Sequence, residues 1–405
     1  ADMGTKLLCL FLISALVAYF LYTPVPEDCE DPWTTMFVLS SFKTFTSLSM
    51  VVDQLGLMNC MDFLMLFTSV EYVAPVSDEN VTVTDTEFSN VAVRLFVPRK
   101  EPGGLRRAMI YFHGGGWCLG DAGMKSYDHM TRWAAHRLNA VVVSVSYRLA
   151  PKYRFPTQFE DVYSVTKFFL QPSVLAQYGV DPDRVCVAGD SAGGNLAAVV
   201  AQQLLEDSEI KTKLKAQVLL YPVLQTLDLD SPSYRENEND AILSKMLMVR
   251  FWNEYITSDM AFGEAMASNR HVPAESSHLF QFVNWSSFLP EEMKKDHVYI
   301  SPTYGSSEFA QKYPSFLDVR VAPLLASDAQ LHRLPLTYIL TCEHDVLRDE
   351  GVIYARRLQA AGVPVTHDHG KDAFHGALMF TSSPADLAVG HRLLNRLTEW
   401  LDENL

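Results

Sequence analysis

The chain has 405 residues, 48% of them hydrophobic and 11% aromatic, which supplies a sizeable core and excludes a disordered protein. Its 33 basic and 48 acidic residues leave a net charge of −15, and without a long basic run this excludes nucleic acid as a partner. Six scattered cysteines with no CxxC spacing exclude a disulfide scaffold and a zinc ribbon.

Residues 7–22 (LLCLFLISALVAYFLY) are uncharged and almost wholly apolar. Thr5 and Thr23 extend the run and Lys6 can snorkel, so 5–23 reads as a transmembrane signal anchor. A cleaved signal peptide is the rival, but the run ends in Tyr19-Phe20-Leu21-Tyr22 and Pro24, not in a small-x-small cleavage site. Lys6 precedes the run, and Glu27, Asp28, Glu30 and Asp31 follow it. The cationic flank is therefore expected to stay cytosolic, placing residues 24–405 outside the cytosol as one domain. The sequons Asn80-Val81-Thr82 and Asn284-Trp285-Ser286 agree with that address, although such triplets also arise by chance.

Residues 30–75 are helix-like and rich in Met, Phe and Leu; Val81–Thr84 and Val91–Val97 then alternate as strands do. Met109–His113, Val141–Tyr147, Val185–Ala188, Val218–Tyr221 and Leu336–Thr341 are apolar runs of buried-strand type, and Val365–His369 is strand-like. Helical stretches separate them at Tyr127–Leu138, Phe159–Leu170, Ala192–Glu206 and Tyr354–Ala361. The alternation predicts an α/β fold, a mostly parallel central sheet covered on both faces by helices. Residues 225–300 interrupt the rhythm with an insertion rich in Met, Phe, Trp and Tyr. With 30–75 it is the natural material for a helical lid over the C-terminal edge of the sheet; plain core is the alternative.

The chemistry gathers on Gly189-Asp190-Ser191-Ala192-Gly193, a G-x-S-x-G between a predicted strand and a predicted helix. Gly189 and Gly193 suit a turn too tight for side chains, and Ser191 falls at a helix N-terminus, where unpaired N–H groups favour negative charge. A serine needs a base, and the base needs an orienting acid. Of the twelve histidines, His375 in Asp372-Ala-Phe-His-Gly376 lies just past a strand near the C-terminus, where a last triad member belongs. His367 and His369 could in principle ligate a metal, but no third ligand stands in register, so neither metal nor cofactor is expected. Asp345, at the tip of the loop after Leu336–Thr341, is the favoured acid, with Glu343 the alternative; Asp349 is expected to cap the next helix. His113-Gly114-Gly115-Gly116 follows another strand, and its glycines let backbone N–H groups point inward. Gly114, Gly115 and Ala192 are the expected oxyanion donors. A phosphate loop would need Gly-Lys-Ser/Thr or G-x-G-x-x-G, and neither is present. Cys118 and Cys342 both fall just beyond predicted strand ends on the side of this site, and an oxidising compartment would permit a bridge between them.

Together His113-Gly-Gly-Gly116, Gly189-Asp-Ser-Ala-Gly193, Tyr147-Arg-Leu-Ala-Pro151, Asp345-Val-Leu-Arg-Asp349 and Phe374-His-Gly376 resemble, in pattern and order, the hormone-sensitive-lipase branch of the α/β-hydrolases. The resemblance implies a microsomal serine esterase and amidase, its catalytic domain in the lumen of the endoplasmic reticulum on a single-pass type II anchor. It implies lipophilic substrates, namely arylacetamides, short-acyl esters and neutral glycerides. It also implies a triad of Ser191, Asp345 and His375, a Cys118–Cys342 disulfide and glycosylation at Asn80 and Asn284. A dedicated acylglycerol lipase would carry the same motifs. A non-catalytic binding protein on this fold would lack the serine or the histidine, and both are present.

Overall fold

The computed structural model describes residues 3–25, 29–101, 103–300 and 302–405. Every predicted strand is found: β1 Val81–Phe88, β2 Val91–Pro98, β3 Arg106–Phe112, β4 Ala140–Ser146, β5 Val180–Asp190, β6 Ala216–Leu220, β7 Leu336–His344 and β8 Val365–Phe374. They form one eight-stranded sheet in the order β1-β2-β4-β3-β5-β6-β7-β8. β2 runs antiparallel to β1 and β4, and the pairs from β4 to β8 are parallel. The chain lays β4 on one side of β3 and β5 on the other, so a crevice opens at the C-terminal ends of β3 and β5, where Phe112 pairs with Gly189.

The two-residue period of the strands divides the core. In β4 and β5, Val141, Val143, Val185 and Val187 face one layer, and Val142, Cys186 and Ala188 face the other. The first layer is covered by the helices Thr157–Phe169, Ala192–Leu204 and Arg348–Ala360, the second by Lys125–Leu138 and Ala388–Asn404. The same period corrects the expected disulfide. Cys342 follows Tyr338 and Leu340 into the second layer, whereas Cys118 packs into the first; both thiols are buried and free, so no Cys118–Cys342 bridge is formed.

Ahead of the sheet stand the helices Met3–Leu21, Pro32–Gln54 and Cys60–Ser69. Met3–Leu21 exposes Leu8, Phe11 and Val17, and Pro32–Gln54 is itself long and apolar enough to cross a membrane. Proline at its first turn starts Pro32–Gln54. Asn59 starts the next helix by accepting the Met61 N–H at 2.8 Å. The insertion between β6 and β7 holds short helices, the longest being Lys245–Ile256, which buries Met248, Phe251, Trp252 and Tyr255.

One buried cation ties the antiparallel edge to a helix that reaches the site. Arg94 of β2 donates to Asp85 of β1 at 2.7 Å, to Asp128 of Lys125–Leu138 at 2.9 Å and to the Val73 carbonyl at 2.9 Å. Arg94→Ala leaves the buried Asp128 with Arg132 alone. The expected cost is about 3 kcal/mol, seen in thermal unfolding as a Tm several degrees lower.

Candidate active site

Ser191 sits on the turn from β5 into Ala192–Leu204, with φ +55° and ψ −117°. That left-handed conformation is strained for a residue with a side chain. Its two glycine neighbours in the motif make it reachable. A Cβ on Gly189 would press on the Gly193 carbonyl, and one on Gly193 would collide with the Phe112 carbonyl and stand 2.6 Å from that of His113. The Ser191 N–H donates to the Leu220 carbonyl at the end of β6, at 2.9 Å.

The turn aims the hydroxyl at His375, carried just beyond β8. Ser191 Oγ lies 3.0 Å from His375 Nε2, and His375 Nδ1 lies 2.8 Å from Asp345 Oδ2. Asp345 is wholly buried after β7, and its other oxygen accepts the Leu347 N–H at 2.9 Å. The carboxylate favours the tautomer with the proton on Nδ1, leaving Nε2 to accept from the serine. Burial opposes the charged imidazolium, yet the Asp345 carboxylate, with smaller contributions from Asp240 and Asp190, outweighs it and holds His375 above the ordinary histidine value. The Tyr221 ring stands edge-on to His375 at 5.0 Å.

Of the other acids on this loop, Glu343 is occupied elsewhere. It binds His369 Nε2 and Arg348 Nη1, each at 3.1 Å, and the His369 bond leads the causes that hold it down to about 2. Asp349 is not the helix cap expected of it. The residue before the helix is Leu347, with no side-chain cap, and Asp349 instead accepts the Ser233 N–H at 2.7 Å and pairs with Arg348. His367 and His369 share the Thr341 hydroxyl at 2.8 and 2.9 Å. Among the described residues no cluster of three or more His, Cys, Asp or Glu is arranged to hold a metal.

The glycine loop is braced by Asp190, the second residue of the serine motif. Its carboxylate accepts from Tyr111 Oη at 2.7 Å, from Tyr127 Oη at 3.1 Å and from the Gly114 N–H at 2.9 Å. Burial pushes this acid up to about 6 against those hydrogen bonds. The Gly114 N–H is also 2.9 Å from Tyr127 Oη, so it is spent inside the protein, and its expected place as an oxyanion donor is corrected. The N–H groups of Gly115, Gly116 and Ala192 have no partner among the described residues. Gly115 and Gly116 take φ of +101° and +59°, and a Cβ on Gly116 would run into the Phe251 ring. His113 supports the loop from behind, stacked on Tyr147 at 4.2 Å and with Nδ1 2.8 Å from the Gly114 carbonyl.

Tyr111, Tyr127 and Tyr221 were invisible to sequence reasoning, since nothing in their spacing separates them from core aromatics. Glu350 was missed too. It accepts the Leu224 and Gln225 N–H groups and Tyr234 Oη, bracing the loop that follows β6. Asn80 is exposed, and Asn284 is partly buried with its Oδ1 accepting from Ser286 N and Oγ.

Two measurements test this geometry. A base must be neutral to accept the serine proton, so kcat/KM is expected to rise with pH along a limb lying above the ordinary histidine value of 6.5. Asp345→Asn removes the charge that favours imidazolium, so the limb should move to lower pH while kcat falls on the order of 10⁴-fold. Asp190→Asn keeps the shape but donates where the carboxylate accepts. A fall in kcat of about 10²-fold is expected, with the limb displaced to lower pH by less than in Asp345→Asn, because Asp190 contributes less than Asp345 to holding His375 up.

The comparisons agree with the fold. A family model described as alpha/beta hydrolase fold matches residues 109–283 and 308–379, which hold Ser191, Asp345 and His375. Arylacetamide deacetylase of Oryctolagus cuniculus is 56% identical over 402 residues, 99% of this chain and 100% of its own length. Neutral cholesterol ester hydrolase 1 of Bos taurus is 45% identical over 408 residues, 100% of both chains. A solved esterase from Pyrobaculum calidifontis superposes with a TM-score of 0.61 at 26% identity, covering 88% of this chain and 97% of its own. The chain therefore belongs to the alpha/beta hydrolase fold family, among relatives that include the arylacetamide deacetylases and the neutral cholesterol ester hydrolases.

Proposed function

We propose that this protein is a membrane-anchored serine hydrolase that cleaves carboxylic esters and arylacetamides of lipophilic compounds through an acyl-enzyme on Ser191. The observation that carries the reading is the file Ser191 Oγ, His375, Asp345 at 3.0 and 2.8 Å. His375 Nε2 takes the hydroxyl proton as Oγ bonds to the acyl carbon, and the carbonyl oxygen becomes an oxyanion facing the Gly115, Gly116 and Ala192 N–H groups. Each such donor is worth roughly 3–4 kcal/mol of barrier. The tetrahedral intermediate collapses as His375 gives its proton to the leaving alcohol or amine. Water, deprotonated by the same nitrogen, then releases the carboxylic acid and restores Ser191. No cofactor enters this sequence.

The names of the relatives support the substrate class: a deacetylase of arylacetamides at 56% identity and a cholesterol ester hydrolase at 45%. In this reading Met3–Leu21 is a type II anchor, the domain from residue 24 onward is luminal in the endoplasmic reticulum, and Asn80 and Asn284 are its glycan acceptors. The helices from residues 30–75 and 225–300 act as a lid. Phe251 against Gly116 and the stack of Tyr255 on Trp117 at 4.2 Å support that role.

The test is labelling by a fluorophosphonate probe in wild type and Ser191→Ala, with hydrolysis of a short-acyl arylacetamide set beside that of a long-chain triacylglycerol. Loss of labelling in the variant, with the arylacetamide preferred, is expected. Turnover of the triacylglycerol alone would make the protein an acylglycerol lipase. A folded wild type that takes no label would point to a binding protein instead.

A further inference from the structure

Pro32–Gln54 has two faces. Thr35, Val38, Leu39 and Ser49 are buried against the domain, the Phe42 ring meets Phe380 edge-on at 5.9 Å, and Asp53 pairs with Arg250 at 3.3 Å. A helix docked along its length in this way does not cross a bilayer, whatever its composition. Its outer face carries Trp33, Phe37, Leu48, Val51 and Leu55, separated by four, eleven, three and four residues. At 3.6 residues per turn these intervals keep all five on one stripe, opposite the buried face. The stripe is open: Trp33 is 77% exposed, Phe37 70% and Leu55 67%. An apolar surface of this extent on a folded domain calls for an apolar partner.

The position of the stripe says which partner. Ser40 interrupts it, and the Ser40 hydroxyl donates to that of Thr23 at 3.4 Å. Thr23 is buried and stands two residues beyond the end of Met3–Leu21. The end of the anchor is thus pinned to the middle of the stripe, with Trp33 and Phe37 to one side and Leu48, Val51 and Leu55 to the other. Where the anchor leaves the bilayer, the stripe meets its surface. On the insertion, Met246 lies one turn before Arg250 and Met260 Sδ lies 3.8 Å from Arg250 Nη1; both methionines are exposed.

We propose that Pro32–Gln54 lies in the bilayer interface as a second, non-spanning membrane contact, resting the lid face of the domain on the lipid; this depends on the reading of Met3–Leu21 as a span. The occupant of the stripe is the acyl region just beneath the headgroups, as for an interfacial amphipathic helix. Its consequence for the reaction runs through one helix. Asp53 holds Arg250, the next residue is Phe251, and Phe251 closes on Gly116 of the oxyanion loop. A lipophilic ester dissolved in the leaflet would enter beneath that helix without crossing water.

The test uses the full chain in phosphatidylcholine vesicles whose acyl chains are brominated near the carbonyl end or near the methyl end. The emission of Trp33 is taken as the difference between wild type and Trp33→Phe. Stronger quenching by bromine near the carbonyl end is expected. Absence of quenching in a chain that survives a carbonate wash would overturn the proposal and leave the anchor standing. Deepest quenching near the methyl end would overturn it in favour of a spanning helix. Quenching in a chain that the wash strips off would remove the anchor and with it the proposal of a second contact placed by that anchor; a chain that never joins the vesicles would remove both. In parallel, Val51→Asp with Leu55→Asp should lower turnover of a long-chain ester held in the bilayer about tenfold, with a water-soluble acetyl ester unaffected. An equal fall on both substrates would mark the stripe as structural and count against the proposal.

Discussion

The Asp190 carboxylate, held without a counter-ion beneath the nucleophile, is the constraint on which the site depends. Burying a charge is costly unless hydrogen bonds replace its water, and here the replacements come from three parts of the chain: Tyr111 on β3, Tyr127 on Lys125–Leu138 and the Gly114 backbone. Asp190 is also the residue before Ser191. The nucleophile turn and the glycine loop therefore move together or not at all. That is the preorganisation an oxyanion site needs, since donors that must first rotate into place spend binding energy on their own reorganisation.

On the far side of His375, one helix turn divides three carboxylates among three tasks. Asp345 faces the imidazole, Asp349 takes the Ser233 N–H at the start of the insertion, and Glu350 takes the Leu224 and Gln225 N–H groups after β6. The acid of the site and the root of the insertion thus share one foundation. Arg348, wholly buried among Asp349, Glu343 and Glu236, offsets part of the charge so concentrated. The arrangement accounts for so acidic a loop in a site whose nucleophile must lose a proton. Only Asp345 is hydrogen-bonded to the base, and the others are satisfied by backbone donors or by Arg348.

The N-terminal helices extend the same economy to the substrate. A pocket for uncharged, lipophilic esters gains nothing from drawing them out of water, where they are scarce, and much from opening toward the phase that concentrates them. In the proposed reading, Pro32–Gln54 meets that need with one face on the domain and the other apolar and exposed. The Asp53–Arg250 pair ties the N-terminal helices to the insertion that lies over Gly116.

The sequence alone determined whatever rests on neighbours in the chain. All eight strands were legible because apolar runs and alternation are local signals, and Ser191 was legible because a tight strand-to-helix turn forces glycine at 189 and 193. Asp345 and His375 were legible from their loops, the first following a strong strand and the second a strand-like segment. What depends on residues far apart in the chain was settled only by the fold. The Gly114 N–H turned inward because Tyr127 and Asp190, thirteen and seventy-six residues away, wait there. Cys118 and Cys342 parted because strand parity turns Cys342 of β7 into one layer while Cys118, in the turn after β3, packs into the other. Asp349, in the first turn of its helix, does not cap it because Ser233, more than a hundred residues earlier, offers its carboxylate a backbone donor. The outward stripe of Pro32–Gln54 was present in the sequence as a pattern, but its meaning was not. A period of 3.6 shows that a helix has an apolar face, and only packing decides whether that face is buried in the protein or left for the membrane.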